Sequence, residues 1–390
     1  MDGINRWIDY SKPTTPTISD FSFDHKKQFF RAVDWQHVLL HVAPTIIAPY
    51  LKSSTATDAL MDLINACSIS LQRSISPGES TYMKSAFTRW GDFLRREISA
   101  DRYSMRVWTM NNHFAVQNVP ELIKQQGPLR YFSCRSLERT IKKYSNMVRS
   151  MFAPDVEISN IHTRVNYYKE HRSAETTDSS IGSSSVQERD FLLHPTHPQT
   201  TPRLWLKIQR IELCERADFF GASTWQFINA LQRYYSRLGL SGSVIDSQQI
   251  TMAGSMLKDD VYYHSRLHRT NNTLLKRSNH LVLFEAKRAS RYWYIGEVLL
   301  YFEHNLNGTS RFLALVLVMP DASMDEYGII RVTYYQQRLN EQFMVCNTLD
   351  VITIIGLVRY NDNETDFKAI WPDAKYYQKL DGRIHREELL

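Results

Sequence analysis

Between about residues 29 and 152 the apolar positions recur three and four apart, the spacing that lines one face of an α-helix, and two-residue alternation is scarce. This pattern predicts four or five helices. Trp35, Val38, Leu39 and Val42 share a face of the first, which Pro44 is expected to bend or end. Leu60, Leu63, Ile64, Cys67 and Leu71 form the stripe of the next. Ser76-Pro77-Gly78-Glu79 then supplies a capping serine, a proline at the first helical position and an acid three residues on, which opens a helix through Tyr82, Phe87, Trp90, Phe93 and Leu94. Pro120 is expected to open a further short helix that ends near Gly127-Pro128.

The texture changes beyond residue 160. SAETTDSSIGSSS and HPTHPQTTP hold few large apolar residues, so ordering them would cost more entropy than burial could return. A disordered linker is predicted there. Strand-like LWLKIQRI follows, then a helix in STWQFINALQRYYSRLG with Trp225, Ile228, Leu231, Tyr235 and Leu238 as its stripe and Gly239 as its stop. From residue 279 the segments LVLFEA, YWYIGEVLLYFEH, RFLALVLVMP, RVTYYQ, FMVCN and VITIIGLVRY read as short antiparallel strands. The expected class is α+β: a flexible N-terminus (1–27), an all-helical region (28–155), a disordered Ser/Thr/Pro-rich linker (156–202), a mixed α/β connector (203–278), a small antiparallel β-barrel-like domain (279–375) and a C-terminal tail (376–390).

Charge adds a weak bias. The 390 residues carry 47 Lys and Arg against 41 Asp and Glu, a net charge of +6 that permits binding to a polyanion without demanding it. The four cysteines, Cys67, Cys134, Cys214 and Cys346, include no C-x-x-C pair, which argues against a zinc site or a disulfide framework and for a reducing compartment. MDGINRWIDYSK has no basic stretch leading into an apolar one, so no secretory signal is expected. FLALVLVM and VITIIGLV fall short of the roughly 20 apolar residues a spanning helix needs, so no membrane partner is expected and the protein reads as intracellular.

Two basic stretches are candidate nucleic-acid contacts. Arg135, Arg139, Lys142 and Lys143 gather opposite an apolar stripe of Leu137, Ile141, Tyr144 and Val148, which suits either a phosphate backbone or a solvated helix face. Arg266, Arg269, Lys276 and Arg277 interleave with Tyr262, Tyr263 and histidines, which suits exposed bases or an exposed loop entering the β-region. His113 lacks a second ligand at metal spacing and reads as structural; no metal site and no cofactor are expected. Tyr292, Trp293, Tyr294, Tyr301, Phe302, Tyr334 and Tyr335 could form an aromatic cage for a methylated lysine or fill the core of a small barrel. No P-loop, G-x-G-x-x-G, G-x-S-x-G or H-E-x-x-H occurs.

The stretch TMNNHFAVQNVPELIKQQGPLRYFSCRSLERTIKKYSN, residues 109–146, resembles the region after the DDE core of CACTA-type (En/Spm-like) DNA transposases, with N-x-H at Asn111 and His113, G-P-L at Gly127, Pro128 and Leu129, and S-x-E-R at Ser136, Glu138 and Arg139. AVDWQHVLLHVAPTIIAPYL and LINACSISLQRSISPGE are similar to two upstream pieces in the same order, so the resemblance spans roughly residues 28–150. The final β-region also resembles the small β-domain that ends many fungal transposon-encoded proteins, and Tudor- or BAH-like barrels. The resemblance implies that Glu138 stands at or beside the third acid of a two-metal site, while the first two aspartates of the family have no counterpart here. Without the resemblance, Glu138 is a helix-surface acid paired with Lys142. The reading that follows is a transposon-derived, catalytically incomplete transposase fragment acting in the nucleus. Its rivals are a domesticated DNA- or chromatin-binding module and a protein-interaction module using the β-domain.

Overall fold

The computed structural model describes residues 2–11, 15, 32–132, 159–161, 163, 191–193, 202–205, 208–240, 249–259, 261–270, 279–287, 291–319, 322–333, 342–363, 365–370 and 383–384. The first part is helical: α1 (Asp2–Ser11), α2 (Ala32–His37), α3 (Ser54–Ser70), α4 (Pro77–Ser99) and α5 (Met110–Gln126). α2 runs straight into a π-helical stretch, Val38–Ile47, with Pro44 inside it. Proline lacks an N–H and its ring collides with the carbonyl four residues back, so the wider π turn carries Pro44 where the sequence pattern predicts a bend or an end. The predicted face is also trimmed, because Val38 and Val42 are buried while Trp35 is 56% exposed.

α4 begins as its sequence dictates. The Ser76 hydroxyl accepts from the Glu79 amide and the Glu79 carboxylate accepts from the Ser76 amide at 2.8 Å, a complete capping box. α5 departs from expectation, since Thr109 caps it and Pro120 lies in its interior. Contacts of Val119 and Ile123 with Ile69, Met83 and Phe87 hold the helix together across the proline. It stops at Gly127, whose φ of 87° no Cβ-bearing residue adopts easily. Gly91 on α4 lets α5 come close, because a Cβ there would sit 3.1 Å from Val116 Cγ2.

The second part is built of strands β1 (Phe191–Leu193), β2 (Arg203–Trp205), β3 (Gln209–Glu212), β4 (Asp218–Phe219), β5 (Ala222–Ser223), β6 (Gln249–Ala253), β7 (Ser255–Lys258), β8 (Val261–His264), β9 (Leu281–Lys287), β10 (Arg291–Leu306), β11 (Thr309–Val318), β12 (Ala322–Met324), β13 (Ile330–Thr333), β14 (Gln342–Asn347), β15 (Val351–Ile354), β16 (Gly356–Arg359), β17 (Asp366–Ile370) and β18 (Arg383–Ile384). Helices α6 (Thr224–Arg237) and α7 (Arg266–Thr270) interrupt them. The largest sheet runs β14-β11-β10-β6-β3, with β9 on the first half of β10 and β15 beyond β9. β1-β2-β7-β8 and β12-β13-β17-β16 form two further antiparallel sheets.

β10 organises this part. Its first half pairs with β9 and its second half with β6, while β11 follows it from Gly296 to Leu306 past a bulge between Val298 and Leu300. The strands thus divide among sheets, and among the described residues none closes into the predicted barrel. β3 and β6, which lie in the stretch expected to be a connector, pair into the same sheet as β10.

α6 covers one face of that sheet. Phe227, Ala230, Leu231, Tyr234 and Tyr235 are buried, the first two packing with Phe302, Leu313 and Val345 in one core. The stripe is therefore rotated from the one expected, and Trp225 stands 73% exposed. α1 ties the two parts together where a flexible terminus is expected: Trp7 and Ile8 pack with Val42 and Ile46 of the π stretch and with Val358 of β16 and Ile370 of β17. Among the described residues no helix is long and apolar enough to cross a membrane.

Candidate nucleic-acid interface

The end of α4, the turn after it and the start of α5 form the part of the helical region where cations, aromatics and open space coincide. Arg89 chelates Asp62 of α3, with Nε 2.8 Å from Oδ2 and Nη2 2.5 Å from Oδ1. Arg95 reaches Asp92 at 2.9 Å and lies over the Trp108 ring, 5.7 Å from its centroid. Arg102 forks onto Glu97. This hydrogen bonding, together with the Arg102 charge, lowers the Glu97 pKa.

Asn112 fixes the turn. Its side-chain oxygen accepts from the Trp90 indole at 3.2 Å and its amide donates to the Val107 carbonyl at 2.9 Å, so the 3-10 turn Met105–Val107 is held against α4. Around it Tyr103, Met105, Val107, Met110 and Phe114 face solvent, Met110 being 78% exposed.

Two clefts meet at Arg95. One, of about 670 Å³, is lined by Arg89, Arg95 and Arg96 and by Asp58, Asp62 and Asp92. The other, of about 440 Å³, has Trp108, Met105, His113 and Gln117 in its walls.

Of the residues singled out by sequence, Asn111 and His113 lie exposed in the first turn of α5, His113 bordering the second cleft, and Gly127 and Pro128 follow its end. Arg135, Ser136, Glu138, Arg139, Lys142 and Lys143 lie outside the described residues, as do Lys276 and Arg277. The cleft between Arg95 and Trp108 was not anticipated; the only sequence trace of it is an arginine pair, Arg95-Arg96, followed by a tryptophan one short turn later.

Arg266 is internal. Its guanidinium binds Glu297 through two nitrogens and donates to the Phe220 carbonyl at 2.7 Å. Burial alone would raise the Glu297 pKa, but the hydrogen bonds from Arg266 and the charges of His280 and Arg266 prevail and lower it. Burial drives the His280 pKa down to about 4 against the pull of Glu297. Arg269 is exposed on α7, with Nη1 3.5 Å from His280 Nε2.

Among the described side chains, the aromatic residues of β10 do not converge on a cage, and the Tyr292 side chain is not among those described. Tyr301 and Phe302 are adjacent on the strand, so they point to opposite faces, and each is fully buried in a different core. Tyr294 stacks on Phe284 with ring centroids 5.5 Å apart, and Trp293 packs beside a third core. Tyr334 and Tyr335 lie outside the described residues.

Among the described residues no three His, Cys, Asp or Glu side chains gather as a metal site. Compared with known proteins, the chain gives no significant match to a family model, to a curated protein or to a solved structure.

Proposed function

We propose that this chain is a transposon-derived protein, of CACTA-like transposase descent, that binds nucleic acid through the α4–α5 end and performs no strand transfer alone. The observation that carries the reading is the junction of two clefts at Arg95, with Trp108 and the motif residue His113 in the wall of one and Arg89 and Arg96 in the wall of the other. Arginine beside aromatic surface suits both phosphate and base. The basic segment Arg135, Arg139, Lys142 and Lys143 follows α5 in sequence and extends the same reading, with DNA in the nucleus as the partner.

The test is binding of the full chain to random duplex DNA and to single strands across a salt series. A steep salt slope is expected, flattening in a variant with Arg96, Arg106, Arg135, Arg139, Lys142 and Lys143 all changed to Gln. Absence of binding at low salt, or cleavage of DNA by the purified chain with magnesium or manganese, would overturn the proposal. An interaction module working through the β14 edge has less support, because α6 lies along that strand and Arg237 donates to the Val345 carbonyl at 2.7 Å.

A further inference from the structure

The cleft at the start of α5 has the composition of a base-binding site. It is an open cleft of about 440 Å³, a volume within the range of about 300–1,000 Å³ common for small-ligand clefts. Ile98 and Met105 supply apolar wall and Trp108 a flat aromatic one. His113 and Gln117 stand one helical turn apart on α5 and both line the cleft, which brings an imidazole and a carboxamide side chain to one wall.

A carboxamide is the side chain whose donor and acceptor match the edge of a purine or pyrimidine, and an indole is a stacking platform. In a duplex the base faces are covered by their neighbours, so only an unpaired base presents both a free face and a free edge. The adjoining cleft argues in the same direction. It is lined by three arginines and three aspartates, of which Asp62 holds Arg89 and Asp92 holds Arg95, so its walls carry no net positive field. Phosphate attraction alone therefore gains little here, whereas stacking is not screened by salt.

Resting on the nucleic-acid reading above, we propose that this cleft receives one unpaired nucleobase of a single strand, stacked on Trp108 with its edge on Gln117 and His113. Arg95, which lines both clefts and lies over the Trp108 ring, then has to swing off that ring to admit the base and meets the adjacent phosphate, exchanging its exposed partner Asp92 for it.

The experiment compares the full chain on three labelled 12-mers by fluorescence anisotropy: oligo-dA, a strand of equal charge made of abasic sites, and a duplex. Oligo-dA is expected to bind about tenfold tighter than the abasic strand, and the ratio is expected to hold or widen as salt rises. Trp108→Leu should abolish that ratio and Gln117→Ala should reduce it severalfold. Trp108 packs beside Phe93 and its loss could disturb α4, whereas Gln117 is exposed and its variant folds; circular dichroism checks both. Equal binding of oligo-dA and the abasic strand, or a ratio untouched by Gln117→Ala and Trp108→Leu, would overturn the base site while leaving nucleic-acid binding in place. Failure to bind any of the three would remove both.

Discussion

Arg266 and Glu297 form a bidentate ion pair inside the β-region, with Nε 2.8 Å from Oε1 and Nη2 2.5 Å from Oε2, and so fasten the short helix α7 to the bend of β10. The Glu297 side chain is 4% exposed and that of Arg266 31%. Breaking a buried pair strands one charge, which costs more than the intact pair contributes. Glu297→Gln should lower stability by about 3 kcal/mol. Exchange of both residues for apolar ones of similar volume should recover most of it. Denaturant titration of the two variants measures this, and an unaffected Glu297→Gln protein would contradict it.

Three histidines make the fold sensitive to acid. Burial, with His37 beside it, takes His41 down to about 3. Burial, with His268 and His280 nearby, takes His264 to about 4, and burial takes His280 to about 4. In the unfolded chain each protonates near its ordinary value of about 6.5. Between the two values the unfolded state binds more protons, so stability is full above about pH 6.5 and falls as the pH drops toward 4. Glu297, held below the usual carboxylate range, adds a loss of the same sign at still lower pH. Urea midpoints should stay level from pH 7.5 to about 6.5 and fall from there to pH 4.5, and His41→Leu should flatten that fall.

Of the glycines whose surroundings are described, Gly296 leaves the least room for a side chain. A Cβ at this residue would lie 2.3 Å from Val316 Cγ1 and 2.8 Å from the Leu317 carbonyl oxygen. The first contact could be relieved by a rotamer change, but the second is backbone. Gly296→Ala should therefore cost about 2–3 kcal/mol, and Val316→Ala should not restore it. Melting temperatures of the single and double variants decide the point.

The attachment of α1 is testable separately. The Arg359 amide donates to Ser11 Oγ at 2.9 Å, and Ser11 in turn donates to the Trp7 carbonyl at 2.6 Å. Ser11→Ala leaves a buried amide without its acceptor, at a cost of about 1–2 kcal/mol. Trp7→Ala empties a site shared with Val42, Ile46, Val358 and Ile370, at about 3–5 kcal/mol. Limited proteolysis should release the first residues from the Trp7 variant well before it cuts the original chain.

Local signals were readable and distant ones were not. The Ser76–Glu79 capping box, the stop at Gly127 and the strands β9, β10, β11 and β14 follow from chemistry within a few residues, and the sequence pattern anticipates them, whereas β6, β7, β8 and β12 lie in segments it does not mark as strands. Pro44 and Pro120 break the local rule because neighbouring helices pack hard against the segments that contain them. The stripe of α6 holds at Leu231 and Tyr235 but not at Trp225 and Leu238, because the sheet beneath it selects Phe227 and Tyr234, and nothing in an isolated helix ranks those above Trp225. Pairing of Ala253 with Tyr301 joins segments that no periodicity relates. His113 was legible as part of a motif; Arg95, Ile98, Met105 and Trp108 become a cleft only when α4 and α5 are brought side by side.

The docking of α1 has a consequence for the order of assembly. Ser11 and Arg359 are separated by 348 positions. A chain made from its amino end exposes Trp7 and Ile8 long before β16 and β17 exist, an interval on the order of tens of seconds at ribosomal speed. Until then α1 has only half its seat, the Val42 and Ile46 side. The helical part can condense early, but the closure over Trp7 waits for β16 and β17, and a stalled or shortened translation product that lacks them would betray itself by leaving a tryptophan in water.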